Sequence, residues 1–218
     1  MINEQIKKLN EKFHIDGKFI SGGVLDENRF KSSKNKMLVI LKEVNDPNSA
    51  YNWTLPGLLN DIKQGKIFFD KRFRLWKNVC RWALVTENIN LNYQDIDESK
   101  LKEALNMFAV INLKKEAGSG SSNYDDIFNH AEKYKNEWLE EIKIINPHLI
   151  VCGGTFDIIR EVLKINNIMT CDSGAKYFLK DERVFLKFPH PAYQVSDKML
   201  FAYFKETINA LKKQCLLN

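Results

Sequence analysis

The carboxylates of Glu43 and Asp46, the amide of Asn112, the glycines Gly153 and Gly154 and the imidazole of His190 each fall just after a short apolar run of the chain. A carboxylate can hold or move a proton, and a side-chain amide offers a donor and an acceptor to one planar partner. Paired glycines let a phosphate approach the start of a following helix, or simply make a tight turn. The histidine is the most constrained of the set. In "KFPHPAYQ" it stands between Pro189 and Pro191. Each proline fixes φ and lacks an N–H, so no strand continues and the backbone is held stiff around His190. These residues mark a site without naming a reaction. Each also has a plainer role: Glu43 and Asp46 as turn or cap residues, Asn112 as a partner for turn backbone.

The runs that must position them are 37–41 (MLVIL), 108–112 (FAVIN), 148–154 (HLIVCGG) and 184–188 (VFLKF), read as four strands. Helical patterns lie around them. Ile2, Ile6, Leu9 and Phe13 recur at helical spacing, and residues 70–84 carry Phe73, Trp76, Cys80 and Ala83 on one face. Ile127, Ala131, Tyr134, Trp138, Ile142 and Ile145 predict one long helix over 124–145, stopped by Asn146-Pro147. Ser99, Thr155 and Ser196 are the expected caps of three further helices. Residues 21–36 read as loop, and 116–123 (EAGSGSSN) as the most flexible stretch. Strands alternating with helices predict βαβ units: a single α/β domain over 1–218, three layers deep, in which 1–36 precede the first strand. The carboxyl ends of its parallel strands share one edge, where ligands bind, so the polar set is expected there.

Composition narrows the class. The chain is 44% hydrophobic and 28% charged, as in soluble globular domains rather than disordered ones. No apolar run approaches the ~20 residues of a membrane span, and the polar start MINEQIKKLNEKF lacks a signal-peptide core, so a cytoplasmic monomer is expected. A net charge of +5 permits a polyanionic partner. Cys80, Cys152, Cys171 and Cys215 form no CxxC pair, so no metal site or cluster is indicated, and the thiols are expected reduced and mostly buried. His14, His130 and His148 carry no functional signal.

Taken in order, "LVILKEVNDP", "FAVINLKK", "HLIVCGG" and "KFPHPA" resemble segments of the uracil-DNA glycosylase superfamily, over about residues 37 to 212. That family has a central four-stranded parallel sheet, a water-activating acidic or amide residue after the first strand, an Asn that reads the base edge, and a last His-Pro motif. Two registers of the first motif are open. Asn45-Asp46-Pro47 is similar to the Gln-Asp-Pro form and would make Asp46 the water activator. Lys42-Glu43 is similar to a Gly-Glu form and would make it Glu43. The usual glycine is missing, the last motif reads His-Pro-Ala, and the cysteines do not have the spacing of the iron–sulfur branch. The resemblance is thus to a divergent member.

It implies hydrolysis, without a cofactor, of the N-glycosidic bond of a uracil-like or modified base flipped from DNA. Glu43 or Asp46 would stabilise the sugar cation and orient water, and His190 would stabilise the departing base. Asn112 and Asn45 would contact the base edge, with Trp53 and Tyr51 as candidate aromatic surfaces and Trp53 preferred. Lys42, Lys114, Lys115, Lys187, Gly153 and Gly154 would meet DNA phosphates. Lys71, Arg72, Arg74, Lys77 and Arg81 form a basic cluster that reads more simply as a solvated helix face. Two other readings compete: a catalytically silent nucleic-acid or modified-nucleotide binding protein of the same fold, and an unrelated α/β hydrolase or transferase acting on a nucleotide.

Overall fold

The computed structural model describes residues 1–218 except 68, 70–72 and 120. Seven strands make one mixed sheet: β1 (Gly23–Val24), β2 (Met37–Leu41), β3 (Phe108–Asn112), β4 (Leu149–Gly153), β5 (Met169–Thr170), β6 (Lys176–Lys180) and β7 (Arg183–Phe188). Their order is β1-β3-β2-β4-β7-β6-β5. The middle four, β3-β2-β4-β7, are parallel and are the four apolar runs of the sequence. The expected four-stranded sheet is therefore corrected to seven strands, with β1 antiparallel on one side and β6 and β5 antiparallel on the other. β1 and β5 have two residues each, too few to show a period. β6 is joined to β7 by Asp181-Glu182, both at positive φ. That is the backbone of a tight hairpin turn, made here without the glycine or asparagine that would signal it.

Of the parallel strands, β2, β3 and β4 are buried along their whole length, and β7 is buried except at Arg183 and Lys187. Successive side chains point to opposite faces, so Val39 and Leu41 enter one core while Leu38 and Ile40 enter the other. Helices α3 (Leu55–Lys63), α4 (Arg74–Glu87), α5 (Glu98–Ala104) and α9 (Asp197–Lys213) cover the first face. Helices α1 (Ile2–Phe13), α2 (Glu27–Lys31), α6 (Tyr124–Lys133), α7 (Lys135–Ile145) and α8 (Phe156–Val162) cover the second. This is the expected three-layer α/β/α arrangement. Among the described residues no helix is long and apolar enough to cross a membrane. Cys80, Cys152 and Cys171 are buried free thiols, and Cys215 is exposed.

Three local expectations are corrected. The long helix is two, α6 and α7, broken at Tyr134. In an unbroken helix the Ala131 carbonyl would receive the Lys135 N–H; instead it accepts from Trp138 Nε1 at 2.8 Å. Ser99 lies inside α5, whose cap is Asp97, accepting from Lys100 N at 2.8 Å. Thr155 and Ser196 hold the cap positions of α8 and α9 without a side-chain capping bond. The first residues of the predicted 70–84 helix, with Lys71 and Arg72, lie outside the described residues.

One buried network ties α1 to α7 and to the segment after β3. Asn10 Nδ2 donates to Glu137 Oε1 (2.8 Å) and Glu141 Oε1 (2.9 Å), His14 Nε2 lies 3.1 Å from Glu137 Oε2, and Lys115 Nζ donates to Glu141 Oε2 at 2.5 Å. Lys115 and Glu141 are both almost wholly excluded from solvent. Removing one partner of such a pair strands the other charge, so Lys115→Met is expected to destabilise the fold by about 3–5 kcal/mol. Urea denaturation checks this. A loss under about 1 kcal/mol, the range of exposed pairs, would contradict it.

Candidate functional site

The carboxyl ends of β2, β3, β4 and β7 share one edge because the four strands are parallel and in register. The chains leaving β2 and β3 stay together beyond the sheet. Leu113 N donates to Leu41 O (2.9 Å), Lys114 N to Lys42 O (2.9 Å), and Gly118 N to Val44 O (2.7 Å). Asp46 N returns a bond to Gly118 O at 3.2 Å. So the Gly/Ser stretch read as flexible is docked, over Ala117 and Gly118, against the first motif. Gly118 is required there: a Cβ would fall 2.6 Å from Glu43 Cγ and 2.9 Å from Oε1.

These segments surround a cavity of about 280 Å³. Glu43, Asn45, Asn112 and His190 supply its polar side, with Ser119 and Ser122 from the docked stretch. Trp53, Leu55, Leu58, Leu75 and Trp76 give it an apolar wall from the starts of α3 and α4. Two polar atoms among these residues are buried without a hydrogen-bond partner, Glu43 Oε2 and Asn112 Nδ2. An unsatisfied buried polar atom costs about 1–3 kcal/mol. Both residues line the cavity, so hydrogen-bonding capacity is left unspent at its wall.

His190 is set by its neighbours. Its Nδ1 accepts from Ala192 N at 3.2 Å, so the neutral ring carries its proton on Nε2. Burial, with help from the Lys42 charge, pulls its pKa down to about 4, so the imidazole is neutral near pH 7. The loop is clamped from both sides. Tyr193 N donates to His190 O (2.8 Å), and Asn78 Nδ2 of α4 donates to Pro191 O (2.8 Å). Asn78 is a buried amide in α4, a signal that sequence reading passed over.

The other candidate residues divide. Asp46 does not line the cavity; its Oδ2 accepts from Trp53 Nε1 at 3.1 Å and so aims the indole that does. Tyr51, at a φ of 53°, is turned away to accept from Ala117 N at 3.3 Å. Gly153 is buried, and a Cβ there would meet Leu41 Cδ2 at 2.9 Å and Pro191 Cδ at 3.2 Å. The N–H of Gly154, at a φ of +76°, is spent on Phe188 O at 3.1 Å. The glycine pair thus seats the His-Pro loop, and the Gly154 N–H is not free to meet a phosphate.

Lys115 is corrected too, being buried on Glu141 and unable to reach a DNA backbone. Lys114 is paired with Asp126. Lys187 is exposed but paired with Asp157 at 2.6 Å. Lys42 alone of the four stays at the site, its stem passing over Gly154 beside His190. His14 and His130 belong to the second core, where their rings stack with Tyr134.

Fold and site together define an α/β/α domain with a polar cavity at the carboxyl edge of its parallel strands. No protein-family model matches the chain, and no curated protein matches it in sequence. Among the described residues no group of His, Cys, Asp and Glu is arranged to hold a metal ion.

Proposed function

We propose that the protein is a DNA glycosylase that hydrolyses the N-glycosidic bond of a uracil-like or modified base held in this cavity. The observation that carries the reading is that Glu43 and Asn112, each with a buried polar atom left without a partner (Oε2 and Nδ2), line one cavity with the neutral ring of His190. Breaking the base–sugar bond develops negative charge on the base and positive charge on the sugar. Asn112 Nδ2 donates to the base edge. His190 Nε2–H donates to the base oxygen as charge gathers there, a contribution of about 3 kcal/mol for a preorganised donor. A neutral donor serves because it need not lose a proton to the base. The Glu43 carboxylate stabilises the sugar cation and orients the attacking water, and Trp53 offers a ring for the extruded base.

Oligonucleotides containing uracil, hypoxanthine or modified cytosines, incubated with the protein and then cleaved with alkali, test the reading. Strand scission at one of these bases is expected. An absence of scission with all of them, at excess protein, would refute it. Gly118→Ala is a finer probe, because its methyl displaces the Glu43 side chain without removing any polar group. Misplacing a reacting group by about 1 Å costs up to ~10²-fold, so base release in a single turnover should fall by at least ~10-fold with DNA affinity unchanged.

A further inference from the structure

Successive residues of α4 divide between two concavities. Leu75 and Trp76 line the cavity described above, whereas Arg74, Lys77 and Arg81 line a second, of about 420 Å³, closed by Tyr93 and by the start of α9. The spacing of three and four residues puts these three cations on one helix face. Lys198 faces them from α9, and among the described residues Asp197 is the one carboxylate in the lining, against four cations.

The pocket is built rather than a chance meeting of surface chains. Arg81 is only 9% exposed, and its guanidinium lies 4.8 Å from the Tyr93 ring centre. Its Nη1 donates to Asn78 Oδ1 at 2.8 Å and reaches Asp197 Oδ2 at 3.4 Å, yet its Nε is buried without a partner. Arg74 Nε holds Asp197 Oδ1 at 2.6 Å. The 17-residue α9 begins here, and Ser196 at its cap position makes no side-chain capping bond. Its first N–H groups and dipole add to the attraction for an anion.

We infer that this pocket binds a phosphate group of a nucleic-acid strand, gripped by Arg81 and Lys77 from α4 and by Lys198 from α9, with Asp197 as the built-in competitor. Forked guanidiniums and several converging cations suit a phosphate better than a single carboxylate. A strand, rather than a free phosphate, is indicated by the neighbourhood. Asn78 ties the pocket to the His190 loop through Pro191 O, and the same turns of α4 wall the first cavity. A strand with its base in that cavity brings a neighbouring phosphate to this side of the helix; to this extent the inference rests on the proposed function. The pocket also supplies the positive surface that Lys114, Lys115 and Lys187, each paired with an acid, do not.

The test is the salt dependence of binding to a single-stranded oligonucleotide, read by fluorescence anisotropy. Each lost phosphate contact lowers the slope of log K against log salt by roughly 0.7. Lys77→Gln with Lys198→Gln, which together hold the one phosphate, should therefore flatten the slope by about 0.7. Asp197→Asn should tighten binding, an effect that a merely structural acid would not give. An unchanged slope in the double variant, with its thermal melt intact, would overturn the inference. So would calorimetric binding of pyrophosphate that the double variant loses while strand binding is unaltered, since the pocket would then serve a free phosphate compound. Base release by the unmodified protein is scored separately. A variant-sensitive slope with no release from any oligonucleotide keeps the phosphate pocket and sinks the glycosylase reading. Release with an insensitive slope does the reverse.

Discussion

His190→Ala is expected to slow single-turnover base release by ~10²-fold or more while leaving DNA affinity nearly intact, because in the proposed mechanism it removes a donor whose bond strengthens only as the base departs. His190→Gln, which restores a donor on a flexible stem, should recover part of the rate and less than the imidazole gives. The pH profile separates this role from general-acid catalysis. With its pKa pulled down to about 4, His190 is already neutral throughout pH 6 to 8, so it should add no titration to the rate in that range. Full activity in His190→Ala would remove the imidazole from the mechanism.

The same depression has a consequence for stability. The folded ring titrates near 4 against an ordinary 6.5, and His130, also buried, is pulled down to about 3. At these two rings the unfolded chain therefore binds more protons than the folded one between about pH 3 and 6.5. The contribution is full above pH 6.5 and is lost as pH falls toward 4 and 3, which denaturant titrations across that range would show. In His190→Ala the loss should be smaller by one proton's share.

Glu43→Gln is expected to cost ~10²-fold or more in single-turnover base release, and Asp46→Asn much less. Glu43 lines the cavity and its Oε2 has no hydrogen-bond partner, so the amide removes the charge from the place where, in the proposed mechanism, the sugar cation forms. Asp46 faces the Trp53 indole, and an asparagine there can still accept that N–H through its amide oxygen. The expected change in Asp46→Asn is a modest loss of affinity for the flipped base. The reverse order of effects would move the water-activating role to Asp46 and require the Trp53 contact to break on binding. Equal, small losses in both acids, with His190→Ala fully active, would make the whole constellation structural.

Much of this architecture was legible in the chain. Four apolar runs and the helices around them define a parallel core, because strands buried on both faces must be apolar throughout. The carboxyl-edge position of Glu43, Asn112 and His190 follows from that topology alone. The edge strands were not legible. β1 and β5 are too short to carry a period, and the Asp181-Glu182 turn lacks the residues that normally announce one. The break at Tyr134 was hidden because Trp138 satisfies the Ala131 carbonyl from outside the helical ladder, leaving the apolar spacing unchanged.

The sequence by itself determined which residues reach the functional edge and that His190 is held rigidly there, since proline geometry and strand periodicity are local properties. It left Glu43 and Asp46 undecided, because both lie within five residues of the same strand end. Only the tertiary structure separated them. Gly118, far along the chain, docks on Glu43, and Trp53 occupies Asp46. It likewise decided the lysines. Lys115 and Lys187 look alike in sequence, yet one is sealed in a buried pair with Glu141 and the other is exposed beside Asp157. A lysine's role depends on the acid that packing brings within a few ångströms of it, and that acid can lie anywhere in the chain.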